Sequence, residues 1–494
     1  MFKVQLKSTP LSSIKTQSVL GYLFENSELD YKLKELDKKS NYLISSALNQ
    51  EKFKGKFGKC LFIHTPNLAT SSVNIIGLGK KNEFEPPKLK EIAGIAAKFL
   101  QQKKITKIAT YIPEIYDLEK ITEQLVKGII IGSYQFTEYK TSKTEILPEI
   151  NQVIIQEEDQ KKHQQIKRGI KSGEIIGTAI NLVRDYGNQP SNKATPSYLV
   201  EKAREIAKKQ KKLTCKILEE DDMKKLKMGA LLGVASGAKQ PPKFIILKYL
   251  GNPKTKKNIV LVGKAITFDA GGISLKPSQK MEEMKFDMSG GGTVIGTIKA
   301  VSDLGLKVNL IGLVPATENL PSGEAYKPGD ILISSSGKTI EVINTDAEGR
   351  LILADALSYA GRFKPSAVID LATLTGACMV ALGKYAAGLF GNNKKLIEKV
   401  KQASKISGER VWELPLWKEY FEEMKSDIAD LKNVGGKYGG AITAAAFLAN
   451  FAESYPWIHL DIAPTAWVDR DYSYFRKGAT GWGVDLLVEF VRML

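Results

Sequence analysis

Short apolar runs alternate with amphipathic segments along the first 160 residues. The apolar runs predict strands over residues 2–6, 60–64, 73–78, 107–111 and 152–155. Apolar positions at helical spacing predict helices over residues 89–100 and 121–136. We therefore expect residues 1–160 to form a small α/β domain with a role in assembly or regulation.

A long helix is predicted next, over residues 164–184, and the turn-rich sequence N-Q-P-S-N follows at residues 188–192. Thr195 and Pro196 then predict the start of another helix, because threonine caps helix N-termini and proline fits the first helical position. We expect residues 161–189 to be a connecting helix and linker, and residues 190–494 to be a second domain.

Strands and helices alternate through the second domain. Strands are predicted over residues 244–249, 258–262, 307–314, 339–344, 367–371 and 459–462, and helices over residues 292–304, 351–362, 441–455 and 484–494. This order predicts an α/β fold, in which a larger C-terminal domain has a mostly parallel central sheet flanked by helices. Functional sites in such sheets lie at the carboxyl ends of the strands.

The composition is that of an ordinary globular protein. Hydrophobic residues make up 43% of the 494 residues, and no apolar run approaches the roughly 18 residues of a membrane-spanning helix. Lysines interrupt the N-terminal residues, which predict a strand and not a signal peptide. The three cysteines, Cys60, Cys215 and Cys378, form no C-x-x-C pair. These features predict a cytoplasmic protein with free thiols and no membrane partner.

The formal net charge is +18, and it is unevenly distributed. Residues 161–216 carry 14 basic and 4 acidic side chains, a net charge of +10. A basic block of this kind is compatible with nucleic acid binding. The plainer interpretation is a lysine-rich, solvated helix surface, because no aromatic residue lies between Lys202 and Lys216. Nucleic acid is therefore the less favoured partner.

A first group of charged residues follows a predicted strand of the second domain. The segment V-G-K-A-I-T-F-D-A-G-G-I-S-L-K-P at residues 262–277 contains Lys264, Asp269 and Lys276. Asp287 follows in M-K-F-D-M-S-G-G-G. A second group, Asp346, Glu348 and Arg350, occurs in N-T-D-A-E-G-R-L at residues 344–351. If that segment is extended, its three charged side chains point to one face.

Two carboxylates on one face repel each other, and a cation between them removes that cost. The four carboxylates together suit a site for two divalent ions such as zinc, manganese or magnesium. Only three histidines occur and H-E-x-x-H is absent, which argues against a histidine-based zinc site. Clustered aspartates and glycine-rich loops also leave a two-metal phosphoesterase as an alternative.

These segments resemble the leucyl (cytosol) aminopeptidase family of dinuclear-metal exopeptidases. N-T-D-A-E-G-R-L is similar to the whole family signature. Further similar stretches are N-Q-P-S-N-K-A-T-P at 188–196, L-A-T-L-T-G-A at 371–377 and H-L-D-I-A-P-T-A-W at 459–467. The resemblance is close over residues 180–494, whereas the N-terminal part resembles the family only in size and α/β pattern.

The resemblance implies that each subunit binds two divalent ions, Zn²⁺ or Mn²⁺. Asp269 and Glu348 would bridge the ions. A neutral Lys264 and Asp287 would complete the coordination of one ion, and Asp346 that of the other.

The resemblance also implies catalytic and substrate-binding roles. Lys276 would polarise the scissile carbonyl, and Arg350 would hold a bicarbonate ion that acts as general base. The implied residues around the substrate are Met284, Thr373, Leu374 and Gly376, of which Leu374 and Gly376 would act through their backbones. The implied activity is release of leucine and other bulky apolar residues from peptide N-termini by a dimetal-bound hydroxide.

The family further implies a homohexamer built as a dimer of trimers. The chain departs from the usual pattern at positions that are not ligands. Ala265 stands where glycine is common, Ala270 where serine is common, and Gly291 and Gly292 replace alanines. These departures concern the detail of the pocket and not the activity.

Overall fold

The computed structural model describes residues 2–113, 115, 117–142, 144 and 146–494. The chain divides into two compact units. The first comprises Met1–Asn181 and Arg470–Arg476, and the second comprises Leu182–Asp469 and Lys477–Leu494. The division falls inside the segment 161–189, which the sequence predicts as the connection between two domains.

The first unit is an α/β unit built around one sheet. Its strands are β1 Lys3–Lys7, β2 Ser18–Phe24, β3 Cys60–His64, β4 Ser72–Gly79, β5 Lys107–Tyr111 and β6 Gln152–Gln156. Its helices are α1 Tyr31–Lys39, α2 Leu43–Gln50, α3 Pro86–Gln102, α4 Leu118–Gly132 and the part of α5 (His163–Asn188) that ends at Asn181. The strand order is β1-β6-β5-β2-β4-β3, and β3 is antiparallel to its neighbour whereas the other pairings are parallel.

Five of these strands are predicted from the sequence, and their ends agree within two residues. Strand β2 and helices α1 and α2 are not predicted. The central position of β2 explains the omission, because residues Ser18–Leu23 are all buried and show no alternation of apolar and polar positions.

The second unit contains a longer series of elements. Its strands are β7 Leu213–Leu218, β8 Lys243–Leu250, β9 Asn258–Gly263, β10 Ala265–Asp269, β11 Asn309–Asn319, β12 Ile331–Ile333, β13 Thr339–Glu341, β14 Pro365–Ala372, β15 Ala387–Gly391, β16 Val411–Glu413, β17 Leu431–Lys432, β18 Trp457–Asp461, β19 Trp467–Val468 and β20 Gly478–Ala479. Its helices are α6 Pro196–Lys208, α7 Glu220–Lys225, α8 Gly229–Ala235, α9 Ser289–Leu304, α10 Glu348–Ala360, α11 Gly376–Leu382, α12 Lys394–Ser407, α13 Lys418–Glu422, α14 Gly440–Ala449 and α15 Val484–Arg492.

A nine-stranded sheet forms the centre of the second unit, in the order β16-β15-β18-β14-β9-β11-β8-β7, with β10 paired to β11. Five of its eight strand pairings are parallel, which confirms the predicted mostly parallel sheet. Helices α9 and α10 pack against β9 and β11. The predicted start of α6 is also confirmed, because the Thr195 hydroxyl accepts a hydrogen bond from the backbone N–H of Tyr198.

Within the described residues, we find no helix that combines the length and the hydropathy needed to span a bilayer.

Candidate active site

A cavity of about 210 Å³ lies where the chain leaves the carboxyl ends of β9, β10, β14 and β18. All eleven residues that the sequence singles out line this one cavity: Lys264, Asp269, Lys276, Met284, Asp287, Asp346, Glu348, Arg350, Thr373, Leu374 and Gly376. The other lining residues are Phe286, Ala347, Gly349, Thr375, Met379 and Ala463. The location agrees with the rule that sites in open α/β sheets lie at strand carboxyl ends.

A glycine turn brings Lys276 back over the end of β10. Gly271 and Gly272 have φ values of +88° and +67°, which L-residues with side chains rarely adopt. A Cβ atom at Gly271 would also lie 2.9 Å from Asp346 Oδ1. The turn is closed by a hydrogen bond of 2.9 Å from the Lys276 N–H to the Ala270 carbonyl oxygen. Glycine is therefore required for Lys276 and Asp346 to reach the same cavity.

Residues 346–350 are not extended, so the condition for three side chains on one face of a strand is not met. Strand β13 ends at Glu341, and helix α10 begins at Glu348. Because Glu348 and Arg350 are two residues apart on a helix, their side chains point about 200° apart around the helix axis and do not share one face. They nevertheless share the cavity with Asp346, because the first helical turn lies against it. The acidic Glu348 at the first helical position also suits the positive end of the helix dipole.

Two lysines pair with the four carboxylates of the cavity. Lys264 Nζ lies 2.8 Å from Asp287 Oδ2 and 2.8 Å from Glu348 Oε1. Lys276 Nζ lies 2.9 Å from Asp269 Oδ2 and also contacts Asp346 Oδ1. In this arrangement, each lysine balances the charge of two neighbouring carboxylates.

Burial and mutual repulsion shift the pKa values of these groups. Burial alone would lower the pKa of Lys264, but the negative charges of Asp287 and Glu348 outweigh it and raise the pKa above its ordinary value. Burial, followed by the charge of Asp269, raises the pKa values of Asp346 and Glu348. A cation among these oxygens would relieve both costs.

The donor set fits divalent metal ions. One carboxylate oxygen from each of Asp269, Asp346 and Glu348 lies within 4.8 Å of the other two. Carboxylate oxygens are ligands for zinc, manganese and magnesium, and four carboxylates suffice for a two-metal site. Lys264 Nζ also contacts Asp287 and Glu348, and its raised pKa favours the charged form, which does not bind a metal ion.

Arg350 is a buried cation with unused hydrogen-bonding capacity. Its Nη1 atom donates to the Asn433 carbonyl oxygen at 2.8 Å. Its Nε atom has no hydrogen-bond partner among the residues that the structure describes. Burial lowers the pKa of the Arg350 guanidinium to about 10, against the raising effect of Glu348 and Asp461, so the group stays charged at neutral pH. A small anion beside Arg350 would satisfy the unpaired donor.

Two residues that hold the site together are not predicted from the sequence. Asn319, at the end of β11, donates from Nδ2 to Asp269 Oδ1 at 2.9 Å and to the Thr345 carbonyl oxygen at 3.0 Å. Asp461, at the end of β18, accepts hydrogen bonds from the loop that follows β14. Their positions at the carboxyl ends of strands were the available signal.

His459, one of the three histidines of the chain, does not line the cavity. It is fully buried, and its Nδ1 atom lies 2.6 Å from Asp370 Oδ1. Trp457 Nε1 donates to the other oxygen of Asp370 at 2.6 Å.

Comparison with known proteins identifies the family of this chain. A family model described as the catalytic domain of the cytosol aminopeptidase family matches residues 181–488, and the N-terminal domain of the same family matches residues 19–143. The chain belongs to the cytosol aminopeptidase family. Cytosol aminopeptidases are hydrolases, and the resemblance noted in the sequence is therefore confirmed.

Curated relatives are similar along their whole length. A probable cytosol aminopeptidase of Geotalea uraniireducens is 45% identical over 493 residues, which covers 99% of this chain and 99% of the relative. That of Aromatoleum aromaticum is 44% identical over 494 residues, which covers 98% and 97%.

Solved structures show the same two-domain fold. A mutant of tomato leucine aminopeptidase is 34% identical, with a TM-score of 0.89 over 100% of this chain and 97% of that chain. The bottromycin maturation enzyme BotP in complex with Mn is 29% identical, with a TM-score of 0.84 over 97% and 99%.

Proposed function

We propose that this cytosol aminopeptidase uses two divalent ions, Zn²⁺ or Mn²⁺, to release leucine and other bulky apolar residues from the N-termini of peptides. The observation that carries the proposal is the meeting of four carboxylates, two lysines and a buried arginine in one cavity. Two ions there would lower the pKa of a water molecule and polarise the scissile carbonyl group.

Asp269 and Glu348 would serve both ions, as the family resemblance implies, and one carboxylate oxygen of each lies within 4.8 Å of the other. Lys264 and Asp287 would complete one site, and Asp346 the other. Lys264 must lose its proton to act as a ligand. A bound cation favours that loss, since it opposes the ammonium charge.

The free amine of the substrate would bind beside Asp287. The Thr373 hydroxyl donates to Asp287 Oδ1 at 2.6 Å and so fixes the orientation of this carboxylate. An acylated amine carries no charge and cannot make this contact, which explains removal of residues only from a free N-terminus. Lys276 stays charged and stabilises the oxyanion that forms on the scissile carbonyl.

Arg350 would hold a bicarbonate ion, which would supply a general base for the attacking water. The unpaired Nε donor of the buried guanidinium supports this assignment. Because a guanidinium cannot itself accept a proton at neutral pH, a bound anion supplies the base.

The pocket for the first side chain would be apolar. Met284, Phe286, Met379 and Ala463 line the cavity beside Thr373, Leu374 and Gly376. Side chains of this kind bind a leucine side chain through burial of apolar surface.

We also propose a homohexamer, a dimer of trimers, in the cytoplasm. Large apolar side chains of the second unit are exposed and would be buried by subunit contacts; these are Val380, Tyr385, Trp412, Trp417 and Tyr438. Sedimentation analysis tests the assembly. All three cysteines are free thiols, which suits a reducing compartment.

Neither alternative function is favoured by the structure. A phosphoesterase reading leaves Lys264 unexplained, whereas family membership points to peptides. The basic segment 161–216 is divided between the two units, and some of its cations are paired, such as Arg168 with Glu119 and Lys202 with Glu205. We therefore propose no nucleic acid partner.

Hydrolysis of leucyl 4-nitroanilide tests the proposed function. The protein is assayed with added Mn²⁺ or Zn²⁺ and again after chelation, on the free substrate, on its N-acetyl derivative and on 4-nitrophenyl phosphate. We expect turnover of the free amine only, lost on chelation and restored by metal. Turnover of the phosphate ester, or none of the free amine with metal present, contradicts the proposal.

A pair of lysine variants separates the site from its surroundings. Lys276→Met removes the cation proposed to stabilise the oxyanion. Lys280→Met changes an exposed lysine four residues away, whose nearest carboxylate, that of Asp469, lies 4.0 Å from it. We expect the first variant to lose activity by at least about a hundredfold and the second to keep it.

A further inference from the structure

Among the residues that the structure describes, the Asp461 carboxylate accepts four hydrogen bonds, which uses the roughly four acceptor sites of its two oxygens. It is fully buried at the end of β18. Its Oδ1 atom accepts from the backbone N–H groups of Leu374 at 3.2 Å, Thr375 at 3.4 Å and Ala463 at 3.2 Å. Its Oδ2 atom accepts from the Thr375 hydroxyl at 2.6 Å. The three donor residues all line the cavity, whereas Asp461 itself does not.

The loop of residues 373–375 is held from its other side by the proposed metal ligands. The Thr373 carbonyl oxygen accepts from Lys264 Nζ at 3.0 Å. The Thr373 hydroxyl donates to Asp287 Oδ1. The loop is thus tied to Lys264 and Asp287 at Thr373 and to Asp461 at the next two residues.

The same carboxylate fixes the start of helix α11. The Thr375 hydroxyl donates to Asp461 and also accepts from the Cys378 N–H at 3.0 Å, which makes Thr375 the N-cap of the helix. Gly376 and Met379 of this helix line the cavity. Because the Leu374 N–H donates to Asp461, the backbone of Leu374 offers the cavity its carbonyl oxygen, which can accept a hydrogen bond from a donor of the substrate.

We propose that Asp461 is a positioning residue, which holds residues 373–376 and Ala463 so that the pocket for the first side chain of the substrate has a fixed size. This proposal rests on the proposed aminopeptidase function. Without the carboxylate, three buried N–H groups lose their acceptor, and the loop must rearrange to find others. A wall that can move discriminates less between large and small side chains.

Three variants test the role of Asp461. Asp461→Asn keeps an oxygen for the three N–H groups, and Asp461→Ala removes every acceptor. Asp355→Ala is the matched control. Asp355 is equally buried, and accepts from the N–H groups of Leu231 at 2.8 Å and Ser335 at 2.6 Å, but it does not line the cavity. The readouts are kcat and KM for leucyl and alanyl 4-nitroanilides, together with Tm.

We expect Asp461→Ala to raise KM for the leucyl substrate. We also expect it to lower the leucyl-to-alanyl ratio of kcat/KM by at least about tenfold, the usual effect of a few methylenes in a pocket. Asp461→Asn should restore most of the wild-type ratio. Asp355→Ala should lower Tm and leave the ratio unchanged. If Asp461→Ala does not fold, Thr375→Val, which removes only the hydroxyl donor and cap, should shift the ratio in the same direction.

The proposal is overturned if Asp461→Ala keeps the wild-type KM and leucyl-to-alanyl ratio, or if Asp355→Ala changes these two quantities as much as Asp461→Ala does. If Asp461→Ala does not fold, the proposal is overturned when Thr375→Val leaves both quantities unchanged. An inactive wild-type protein with metal present contradicts the proposed function instead, so the two failures are distinguishable.

Discussion

The ammonium group of Lys264 lies 2.8 Å from the carboxylate of Glu348, with both side chains buried. Two buried charges are taken out of water at a cost, which their attraction and the neighbouring Asp287 offset. A metal ion bound by the same carboxylates would compete with the charged form of Lys264. Metal binding at this pair would therefore be linked to proton release.

The first prediction concerns that link. The carboxylates raise the pKa of Lys264 despite its burial, so the metal-free protein keeps the lysine proton at neutral pH. A ligand lysine must give up this proton when the ion binds. We expect the affinity for Mn²⁺ to rise with pH, by about tenfold per pH unit for each proton released. Titration calorimetry in buffers of different ionisation enthalpies measures the number of protons.

Two lysine variants supply the comparison. Lys264→Gln should release one proton fewer than the wild type on binding Mn²⁺. Lys276→Gln should release the same number, because Lys276 is proposed to stay charged. Equal proton release by Lys264→Gln and the wild type would show that Lys264 is not a neutral ligand.

The second prediction concerns the glycine beside Lys264. A Cβ atom at Gly349 would lie 2.5 Å from Lys264 Cε and 2.7 Å from Lys264 Nζ. Gly349→Ala should therefore displace Lys264 and lower kcat/KM by at least about tenfold, since misplacement of about 1 Å can cost a hundredfold in rate. Tm should fall as well, because the displaced ammonium group leaves the buried carboxylates of Asp287 and Glu348 without their partner. Steady-state kinetics and Tm measure the two effects.

Gly361, at the other end of α10, is the control. The nearest atoms to a Cβ there, in Ser454 and Tyr455, would be 3.9 Å away. Gly361→Ala should leave both kcat/KM and Tm close to the wild type. An active Gly349→Ala variant would mean that Lys264 can move without loss of function.

Part of the site is predictable from the sequence because its charged residues follow apolar strands. Lys264 follows β9 and Asp269 ends β10, and both strands pair in parallel with β11. The roles of Thr373, Leu374 and Gly376, by contrast, are predicted only from the family resemblance. What sequence spacing does not reveal is the local conformation. The alternation of Asp346, Glu348 and Arg350 would place the three side chains on one face only if the segment were extended, but a helix begins at Glu348.

Sequence spacing also does not reveal the residues whose side chains bind the backbone of distant loops. Asn319 binds Thr345, which is 26 residues away in the sequence, and Asp461 binds Leu374, which is 87 residues away. Strand β2 is missed for a related reason. It lies between β5 and β4 in the middle of the sheet, so that tertiary burial and not periodicity determines its apolar run.

The third prediction concerns Arg350. If a bound bicarbonate ion is the general base, Arg350→Met should lower kcat by about a hundredfold or more, the usual contribution of such a base. Added bicarbonate should stimulate the wild type in carbonate-depleted buffer and leave Arg350→Met unchanged. The rate as a function of bicarbonate concentration measures this difference.

Arg362→Met is the matched control for Arg350→Met. Arg362 is exposed, and its guanidinium lies over the ring of Tyr359 at 5.1 Å. This variant should keep both the wild-type rate and its response to bicarbonate. A wild-type rate that is independent of bicarbonate would exclude the anion as the base.

The last prediction explains two departures from the family pattern together. A Cβ atom at Gly291 in α9 would lie 2.7 Å from the Cβ atom of Ala265 in β10 and 2.7 Å from Val314 Cγ1. The family resemblance implies glycine at position 265 and alanine at position 291; relative to that pattern, this chain carries the one methyl group on the opposite side of the same contact. Gly291→Ala alone should destabilise the protein by about 1–3 kcal/mol through overpacking. In the Ala265→Gly background most of that loss should disappear, because the space is then free.

Urea unfolding of the two single variants and the double variant measures the coupling energy, which we expect to exceed about 0.5 kcal/mol. Strict additivity would mean that Val314, and not Ala265, limits the space at Gly291.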